Sequence, residues 1–512
     1  MRIVVTGGTG LVGRAAVRAL IERGHGVRAL ARRIPASPLD RVDGVVYVAA
    51  DVTDRASLRG AFDDCEVVVH AGGAVSVPGG VRALERLNVQ GTRHVLDEAL
   101  RAGVRRVVLV SSLGADRGAS EYHRTKREAE CLVIAGAHEW TVLRPGNVYG
   151  PGESHIGRFV RAMRTWPVVP VPGDPDVRFQ PIWVDDLAAC VARACEDASF
   201  AGRIVELAGP DTVSQRELHD WVGAIVGRRP PLVPVPAWLV RAGADALAAA
   251  GVPAPVTRDE VTMVAEGNLP GDGRDDVLAR EFGLVPTRLA EGLRRLARET
   301  PEQLPGEGVG TVRERRLRVR LTGSRLDAAA LVAAVAKRFV QLMPSETADA
   351  GTEPTSNTVL RPGAVVSISM PLRGHVQVRV EDATPTSVTC ATLAGHPLAG
   401  MVRFRASDDA DGRVTFEVCT IDHAGTWLDR AALALGGRAL KSWTWRRFVR
   451  DVVALSGGQA HDGIERRSVP LDDEETARVR RWLEGLACVQ AEERGERPGR
   501  AADQPATSLP GT

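Results

Sequence analysis

Short apolar runs alternate with helix-length amphipathic stretches over the first 150 residues. The runs are 3–5, 27–31, 45–48, 67–71, 107–111 and 141–143. Each run is rich in valine and continuous rather than alternating, which is typical of strands buried on both faces of a sheet. The helical stretches between them indicate right-handed crossovers. The pattern therefore predicts an α/β fold with a doubly wound, Rossmann-type parallel sheet.

The pattern changes further along the chain. Residues 151–298 are mostly helical with proline-rich turns, which predicts a small substrate lobe that completes an N-terminal domain of residues 1–298. The Pro/Gly/Glu-rich start of 299–316 predicts a linker. Residues 317–492 then predict an α+β, helix-grip-like domain: a helix at 326–342, strands at 365–370, 375–380, 387–393, 402–406 and 413–421, and a long helix at 426–455. The polar tail, 493–512, is predicted to be disordered.

The composition narrows the class of protein without naming it. The chain has 512 residues, of which 44% are hydrophobic and 25% charged, an ordinary balance for two soluble domains. A net charge of +2 gives no field to attract nucleic acid, and no apolar run reaches the roughly 18–20 residues of a membrane span. Seven cysteines without C-x-x-C, and no room for a signal peptide before the first strand, predict a cytoplasmic protein without a metal cluster.

A glycine-rich turn follows the first predicted strand and opens the first helix. Its residues are Gly7, Gly8, Thr9, Gly10, Leu11, Val12 and Gly13. Such a turn lets a pyrophosphate approach the N–H groups at a helix N-terminus, where a Cβ would obstruct it. Because Gly8, Gly10 and Gly13 have the G-x-G-x-x-G spacing in this place, the turn predicts a dinucleotide site. The alternative is a glycine-rich turn without a ligand.

The end of the second strand bears on which dinucleotide binds. NAD-binding proteins usually carry an acid there for the adenosine ribose, whereas this chain has Arg32 and Arg33. A guanidinium suits a 2′-phosphate, so NADP(H) is favoured over NAD(H). The alternative is that both arginines are only solvated. Further cofactor contacts are predicted at the ends of the third and fourth strands, at Asp51, Val52, Ala71 and Gly72.

The spacing of Tyr122 and Lys126 is the most specific signal in the chain. On a helix, positions i and i+4 share a face. Because the chain has only three tyrosines and three lysines, about 0.02 such pairs are expected by chance. A phenol is a poor base at neutral pH, and a nearby ammonium is expected to lower its pKa. The pair therefore predicts an acid/base site, with Ser111 or Ser112 holding the substrate oxygen; the alternative is an exposed helix pair.

Several motifs in order resemble the extended or atypical short-chain dehydrogenase/reductase superfamily of NAD(P)-binding proteins, which includes NAD-dependent epimerases and dehydratases. These motifs are 6–13, 51–52, 88–92, 111–115, 122–126, 143–151, 180–186 and 206–210. The closest likeness is to the group that contains the 39-kilodalton accessory subunit of respiratory complex I. The resemblance covers residues 1–298. One departure from the extended pattern is the short segment of nine residues between Ser112 and Tyr122.

The resemblance implies a role for each matching position. The glycines Gly7, Gly10 and Gly13 would hold the pyrophosphate, and Asp51 and Val52 would flank the adenine. The catalytic set implied is Tyr122 as acid/base, Lys126 as its partner, Asn88 in a proton relay, and Ser111 or Ser112 on the substrate side. The nicotinamide pocket would be lined by Pro145 and Val148.

The C-terminal part resembles a bacterial and plant family of unknown function through residues 392–404, and this family is associated with START-like helix-grip folds. His396 lies in this motif, and a turn or packing role is favoured over catalysis. Core packing is likewise favoured over cavity lining for Trp427, Trp443 and Trp445. The arginine-rich run 313–320 is interpreted as the solvated face of an edge strand.

Three functions remain open. The leading hypothesis is an NADP(H)-dependent oxidoreductase acting on a small apolar carbonyl or alcohol, with Tyr122 transferring the proton. The second is a nucleotide-sugar epimerase or dehydratase. The third is an NADP(H)-binding sensor or assembly protein without turnover. The expected partner is a small molecule rather than nucleic acid. The sequence leaves the oligomeric state open, including a homo-oligomer.

Overall fold

Two large sheets organise the chain. A computed structural model describes residues 1–77, 79–152, 154–249, 256–271, 276–354, 356–370 and 373–493. It has a seven-stranded sheet in the N-terminal half and an eight-stranded sheet in the C-terminal half. The predicted disordered tail, 493–512, lies outside the described residues except for Glu493, where the last helix ends. Among the described residues, no helix has both the length and the hydropathy needed to span a bilayer.

The described residues of the N-terminal half form thirteen strands and twelve α-helices. The strands are β1 (Arg2–Thr6), β2 (Gly26–Ala31), β3 (Val46–Ala49), β4 (Val67–His70), β5 (Arg106–Val110), β6 (Glu139–Pro145), β7 (Val148–Tyr149), β8 (Val169–Pro172), β9 (Arg178–Phe179), β10 (Ile182–Trp183), β11 (Arg203–Leu207), β12 (Val213–Ser214) and β13 (Leu232–Val235). The helices are α1 (Leu11–Glu22), α2 (Arg55–Leu58), α3 (Gly80–Glu85), α4 (Gly91–Arg101), α5 (Glu121–Ile134), α6 (His155–Thr165), α7 (Val184–Glu196), α8 (Gln215–Val226), α9 (Ala237–Ala249), α10 (Arg258–Glu266), α11 (Val277–Phe282) and α12 (Leu289–Arg298).

The seven-stranded sheet is wholly parallel, with the strand order β11-β6-β5-β4-β1-β2-β3. Alternate residues of β1 face opposite cores: Ile3 and Val5 pack with α1 and α7, whereas Val4 packs with α4 and α5. Both faces are therefore buried, as the continuous valine runs predict. The strand order reverses between β1 and β4, so a crevice opens beyond their carboxyl ends, where ligands bind in folds of this kind.

Residues after β6 build a mostly helical lobe beside this crevice. Helices α6, α8 and α12 share a core around Tyr149, Met163 and Trp183. Helix α8 starts with a capping box between Ser214 and Glu217, as the sequence spacing predicts. Helix α10 of this lobe contacts the start of α5, which follows the carboxyl end of β5.

Within the part of the C-terminal half that the structure describes, there are eight strands and four α-helices. They are β14 (Val309–Thr322), α13 (Ala328–Leu342), β15 (Asp349–Ala350), β16 (Val365–Met370), β17 (Gly374–Thr384), β18 (Ser387–Thr392), β19 (Leu398–Asp408), β20 (Val414–Ala424), α14 (Trp427–Ala432), α15 (Arg438–Ser456), β21 (Gln459–Pro470) and α16 (Asp473–Glu493). The sheet is antiparallel, in the order β15-β16-β17-β18-β19-β20-β14-β21. Helices α13 and α15 pack on one face and α16 on the other. The predicted fold class, a doubly wound parallel sheet followed by an α+β unit, is confirmed.

The range 299–316 is not a free linker. The backbone N–H of Gln303 donates to Thr392 O, and β14 already begins at Val309. Residues of this stretch form backbone hydrogen bonds with β18 and β20. Its Pro/Gly/Glu content alone therefore did not predict its structure. The arginine-rich run lies in β14 between β20 and β21, not at an edge. Its side chains pair with acids; Arg315, for example, lies 3.0 Å from Asp422.

The long helix predicted at 426–455 is interrupted. A π-helical turn, Leu433–Gly437, separates α14 from α15, and Gly436 within it has φ +128°, which ends regular helix geometry. Core packing was also wrong for two of the three tryptophans. Trp427 and Trp443 are 67% and 41% exposed, whereas Trp445 packs against Phe404 and Phe448.

Candidate active site at the carboxyl edge of the parallel sheet

The glycine turn between β1 and α1 leaves no room for side chains at two positions. Gly7 has φ +67°, and a Cβ there would lie 2.9 Å from the carbonyl oxygen of Ala71. A Cβ on Gly13 would lie 2.1 Å from the carbonyl oxygen of Gly7. Gly10 is the N-cap of α1, so the free N–H groups of the first helical turn and the positive end of the helix dipole lie here. These residues fit the pyrophosphate of a dinucleotide.

The residues predicted for the adenosine end follow β2 and β3. Arg32 and Arg33 come directly after β2 and are exposed, and neither pairs with another described residue. The carboxylate of Asp51 accepts from both the backbone N–H and the hydroxyl of Thr53, each at 2.8 Å. Val52 is buried. The two guanidinium groups are thus available to an added phosphate, while the Asp51 carboxylate is engaged in its own turn.

Helix α5 brings Tyr122 and Lys126 to the crevice. Ser120 caps this helix by accepting from the backbone N–H of His123 at 3.1 Å. The Tyr122 phenol is hydrogen-bonded to Ser112, which follows β5. The segment of nine residues between them is therefore long enough to place this serine on the phenol.

Burial dominates the electrostatics of the pair. It raises the pKa of Tyr122 to about 12, although the hydrogen bond with Ser112 acts in the opposite direction. It lowers the pKa of Lys126 to about 8, although Glu130 opposes this. The Lys126 Nζ donates to Val110 O at 2.7 Å rather than to the phenol. The expectation that Lys126 lowers the phenol pKa is therefore not met in this structure. At neutral pH the phenol carries its proton, and the amine is mostly charged.

The two candidate serines, Ser111 and Ser112, have different hydrogen-bond partners. The Ser111 hydroxyl donates at 2.5 Å to Oε1 of Glu130, which lies eight positions after Tyr122 on α5. Glu130 also accepts from Arg144 at 2.9 and 2.7 Å, and both side chains are almost fully buried. Only Ser112 is brought to the phenol. The Glu130–Arg144 pair was missed in the sequence, although Glu130 lies four positions after Lys126 on the same helix face.

Asn88 lies within the same site. It belongs to a π-helical turn, Arg86–Gln90, a distortion often found at functional positions. Its Oδ1 accepts from Ala74 N at 3.1 Å, and its Nδ2 donates to the Thr125 hydroxyl at 3.0 Å. A Cβ on Gly73 would lie 3.1 Å from Asn88 Oδ1 and 3.6 Å from Lys126 Nζ, so both side chains border this glycine.

A buried histidine, which the sequence analysis missed, joins the glycine turn to this helix pair. The Thr92 hydroxyl donates to Asn88 O at 2.6 Å, so it accepts from His70 Nε2 at 3.0 Å. His70 Nδ1 must then accept from the Thr6 hydroxyl at 2.7 Å, and Thr6 accepts from Gly72 N at 3.1 Å. Burial lowers the pKa of His70 to about 3, which agrees with this neutral tautomer. The sequence offers little indication of this role, because a single histidine at the end of a strand belongs to no recognisable motif.

The helical lobe also contacts the start of α5. Asp259 accepts from the backbone N–H of Tyr122 at 3.2 Å, and Glu266 accepts from Ala119 N at 2.8 Å. A carboxylate is favourable at the positive end of a helix. Both acids come from α10, so this helix positions the Tyr122 end of α5. The nicotinamide-side residues Pro145 and Val148 follow β6 on the same edge of the sheet.

Comparison with known proteins identifies the family. Residues 3–208 match the NAD dependent epimerase/dehydratase family, and residues 316–454 match a domain of unknown function (DUF1990). The chain is 34% identical over 241 residues to a ceramide reductase of Caulobacter vibrioides, covering 46% of this chain and 73% of that protein. It is 33% identical over 321 residues to sterol demethylase protein B of Methylococcus capsulatus, covering 56% and 94%. A UDP-glucose 4-epimerase structure from Thermotoga maritima is 21% identical, with a TM-score of 0.47, over 58% of this chain and 98% of that one.

The fold and site define an NAD(P)-binding protein of the Rossmann type. The chain belongs to the NAD-dependent epimerase/dehydratase family. The predicted resemblance to atypical short-chain dehydrogenases/reductases, fused to a separate domain of unknown function, is confirmed. The predicted class, an NAD(P)-dependent oxidoreductase, is confirmed with it.

Proposed function

We propose that the protein is an NADP(H)-dependent oxidoreductase that moves a hydride between the nicotinamide and a small apolar carbonyl or alcohol, with Tyr122 as the acid/base. One observation carries the proposal. The Tyr122 phenol is hydrogen-bonded to Ser112, on the α5 face that also holds Lys126, at the crevice where the glycine turn fits a dinucleotide.

In the reducing direction Tyr122 donates its proton to the substrate oxygen, because its raised pKa keeps the phenol protonated at neutral pH. The Ser112 hydroxyl donates a hydrogen bond to the same oxygen and holds it beside the phenol. The ammonium of Lys126 stabilises the phenolate that the proton transfer leaves behind. Bound NADP(H) supplies the hydride.

The cofactor preference rests on the end of β2. Arg32 and Arg33 are exposed there, without a described partner and without an acid beside them. A phosphate with one charge-assisted bond to each would gain about 1.5–3 kcal/mol per bond. This supports NADP(H) over NAD(H).

The substrate class rests on the relatives. One is named a ceramide reductase and the other a sterol demethylase protein, and both names refer to apolar lipids.

The test is NADPH oxidation with a panel of apolar aldehydes and ketones. Tyr122→Phe is expected to lower kcat by about 10²–10⁴-fold, the usual contribution of a positioned acid, while the Kd for NADPH is unchanged. Tyr149→Phe is the matched control, because the Tyr149 hydroxyl is buried without a hydrogen-bond partner among the described residues. A Tyr122→Phe enzyme that keeps the wild-type kcat contradicts the proposal.

A further inference from the structure

A cavity of about 240 Å³ lies in the C-terminal half, on the sheet face covered by α13 and α15. Its wall is mostly apolar and includes Phe339, Met343, Ile368, Met370, Val378 and Trp445. One water-sized group takes about 30 Å³, so the enclosed space has room for about eight carbon atoms, and a slightly longer chain would extend beyond it. The two sheets are separate, and this cavity is not part of the dinucleotide crevice.

The cavity opens where α14 and α15 meet. Ala432 and Leu440 line it and are also exposed, Leu440 to 42%. The turn between the two helices contains Gly436, whose φ of +128° breaks the helix at this point. Residues that both line a cavity and face solvent mark its mouth. An apolar molecule therefore has a route into the cavity past these side chains.

One region of the cavity wall is polar. Thr420 and Asp422 are two residues apart on β20, so their side chains point to the same face. Thr420 is 3% exposed, and its hydroxyl has no hydrogen-bond partner among the described residues. Asp422 pairs with Arg315 and with Lys441, which also lines the cavity. A buried hydroxyl without a partner costs about 1–3 kcal/mol, which a ligand atom here would recover.

The carboxylates of this region are paired, Asp422 with Arg315 and Lys441, and Asp429 with Arg373 and Thr426, so hydrogen-bond donors remain for a ligand. An ammonium has three N–H groups, and Lys441 uses one on Asp422. His396 lines the cavity, and its Nδ1 accepts from Leu398 N at 3.0 Å. Burial lowers the pKa of His396 to about 4, so the ring is neutral at pH 7. A ligand group that accepts hydrogen bonds therefore complements this region.

We propose that the cavity binds an aliphatic molecule of about eight to ten carbons whose end carries a carbonyl or carboxylate oxygen, with that oxygen at Thr420 and Lys441 and the chain along the apolar wall. The site is separate from the proposed oxidoreductase centre. A failure to find the proposed oxidoreductase activity would therefore not contradict this binding site, and a failure to find binding here would not contradict that activity.

Calorimetric titration of the full chain with 2-decanone, decanoate and decylamine tests the proposal by measuring the Kd of each ligand. The three ligands have the same chain length and differ in the polar group. The ketone or the carboxylate is expected to bind at one site, and decylamine at least about tenfold more weakly, because its head brings a cation to a donor-rich region. Thr420→Val is expected to weaken the acceptor ligand about fivefold, the loss of one hydrogen bond. The two acceptor ligands distinguish a neutral from an anionic head.

Substitutions at the mouth of the cavity test whether the ligand binds there. Ala432→Trp is expected to weaken binding at least tenfold, whereas Ala431→Trp is expected to leave it unchanged, since Ala431 is an exposed neighbour outside the lining. The Tyr122→Phe protein is expected to bind as the wild type does, which separates this site from the oxidoreductase centre. Absence of binding by both acceptor ligands, equal binding of decylamine, or full binding by Ala432→Trp would overturn the proposal.

Discussion

Replacing Glu130 by Gln tests whether Lys126 acts as an ammonium. Burial lowers the pKa of Lys126 to about 8, and the charge of Glu130 is what opposes a further fall. An opposite charge at close range usually moves a pKa by about 1–3 units, so its removal is expected to bring the Lys126 pKa down by about one unit or more. A lysine is charged below its pKa. The variant therefore loses the ammonium at a lower pH than the wild type.

The pH dependence of kcat/KM for carbonyl reduction measures this change. In the wild type the alkaline limb is expected near pH 8, where Lys126 loses its proton. In Glu130→Gln the limb is expected to move to lower pH by about one unit, and at pH 7.5 the charged fraction falls roughly threefold. An unchanged limb would refute the role given to Lys126.

Arg144→Lys is the matched control. It disrupts the two-pronged contact with Glu130 but keeps a cation beside it, so the carboxylate stays ionised. Both variants are expected to lower the melting temperature, since breaking a buried ion pair costs about 3–5 kcal/mol when a partner is lost. Only Glu130→Gln is expected to shift the alkaline limb. An equal shift in both would mean that lost packing, not charge, is responsible.

Changing Arg32 and Arg33 together to Asp is expected to weaken NADPH binding about 10- to 100-fold and NADH binding much less; equal losses in fluorescence titrations would contradict the phosphate assignment. Gly13→Ala is expected to abolish cofactor binding, because its Cβ would lie 2.1 Å from a carbonyl oxygen. Gly243→Ala, which has open space around its Cβ, is the control, with a gain of about 0.5–1 kcal/mol in urea unfolding. His70 has a pKa lowered to about 3, so the unfolded chain takes up this proton first as the pH falls. The free energy of unfolding is then expected to fall by about 1.4 kcal/mol per pH unit below about pH 6.5. If urea unfolding of His70→Gln shows the same dependence on pH as the wild type, the buried neutral ring is contradicted.

The parallel sheet and its cofactor turn were open to prediction from local pattern. A strand covered on both faces needs apolar residues at every position, so β1, β4 and β5 are visible as valine runs. The C-terminal strand β16 (Val365–Met370) has the predicted bounds, because its residues alternate between two environments. The glycine turn is visible because a Cβ at Gly7 or Gly13 would meet backbone atoms.

The roles of individual polar groups were not visible in this way. Ser111 and Ser112 are adjacent in sequence, yet one bonds Glu130 and the other Tyr122, two residues that lie eight positions apart on α5. The arginine-rich strand β14 has the composition of an edge strand, but its neighbours β20 and β21 come from distant parts of the chain. Neither outcome is encoded in a local pattern.

The sequence by itself determined the alternation of strands and helices, the glycine turn and the Tyr122–Lys126 helix face, because each depends on backbone geometry and on residues a few positions apart. Tertiary structure alone decided the raised pKa of the phenol, the lowered pKa of the amine near Glu130, the His70 connection and the cavity with its unpartnered Thr420. These depend on desolvation and on hydrogen bonds between residues far apart in the chain, and such energies exist only once the chain has folded.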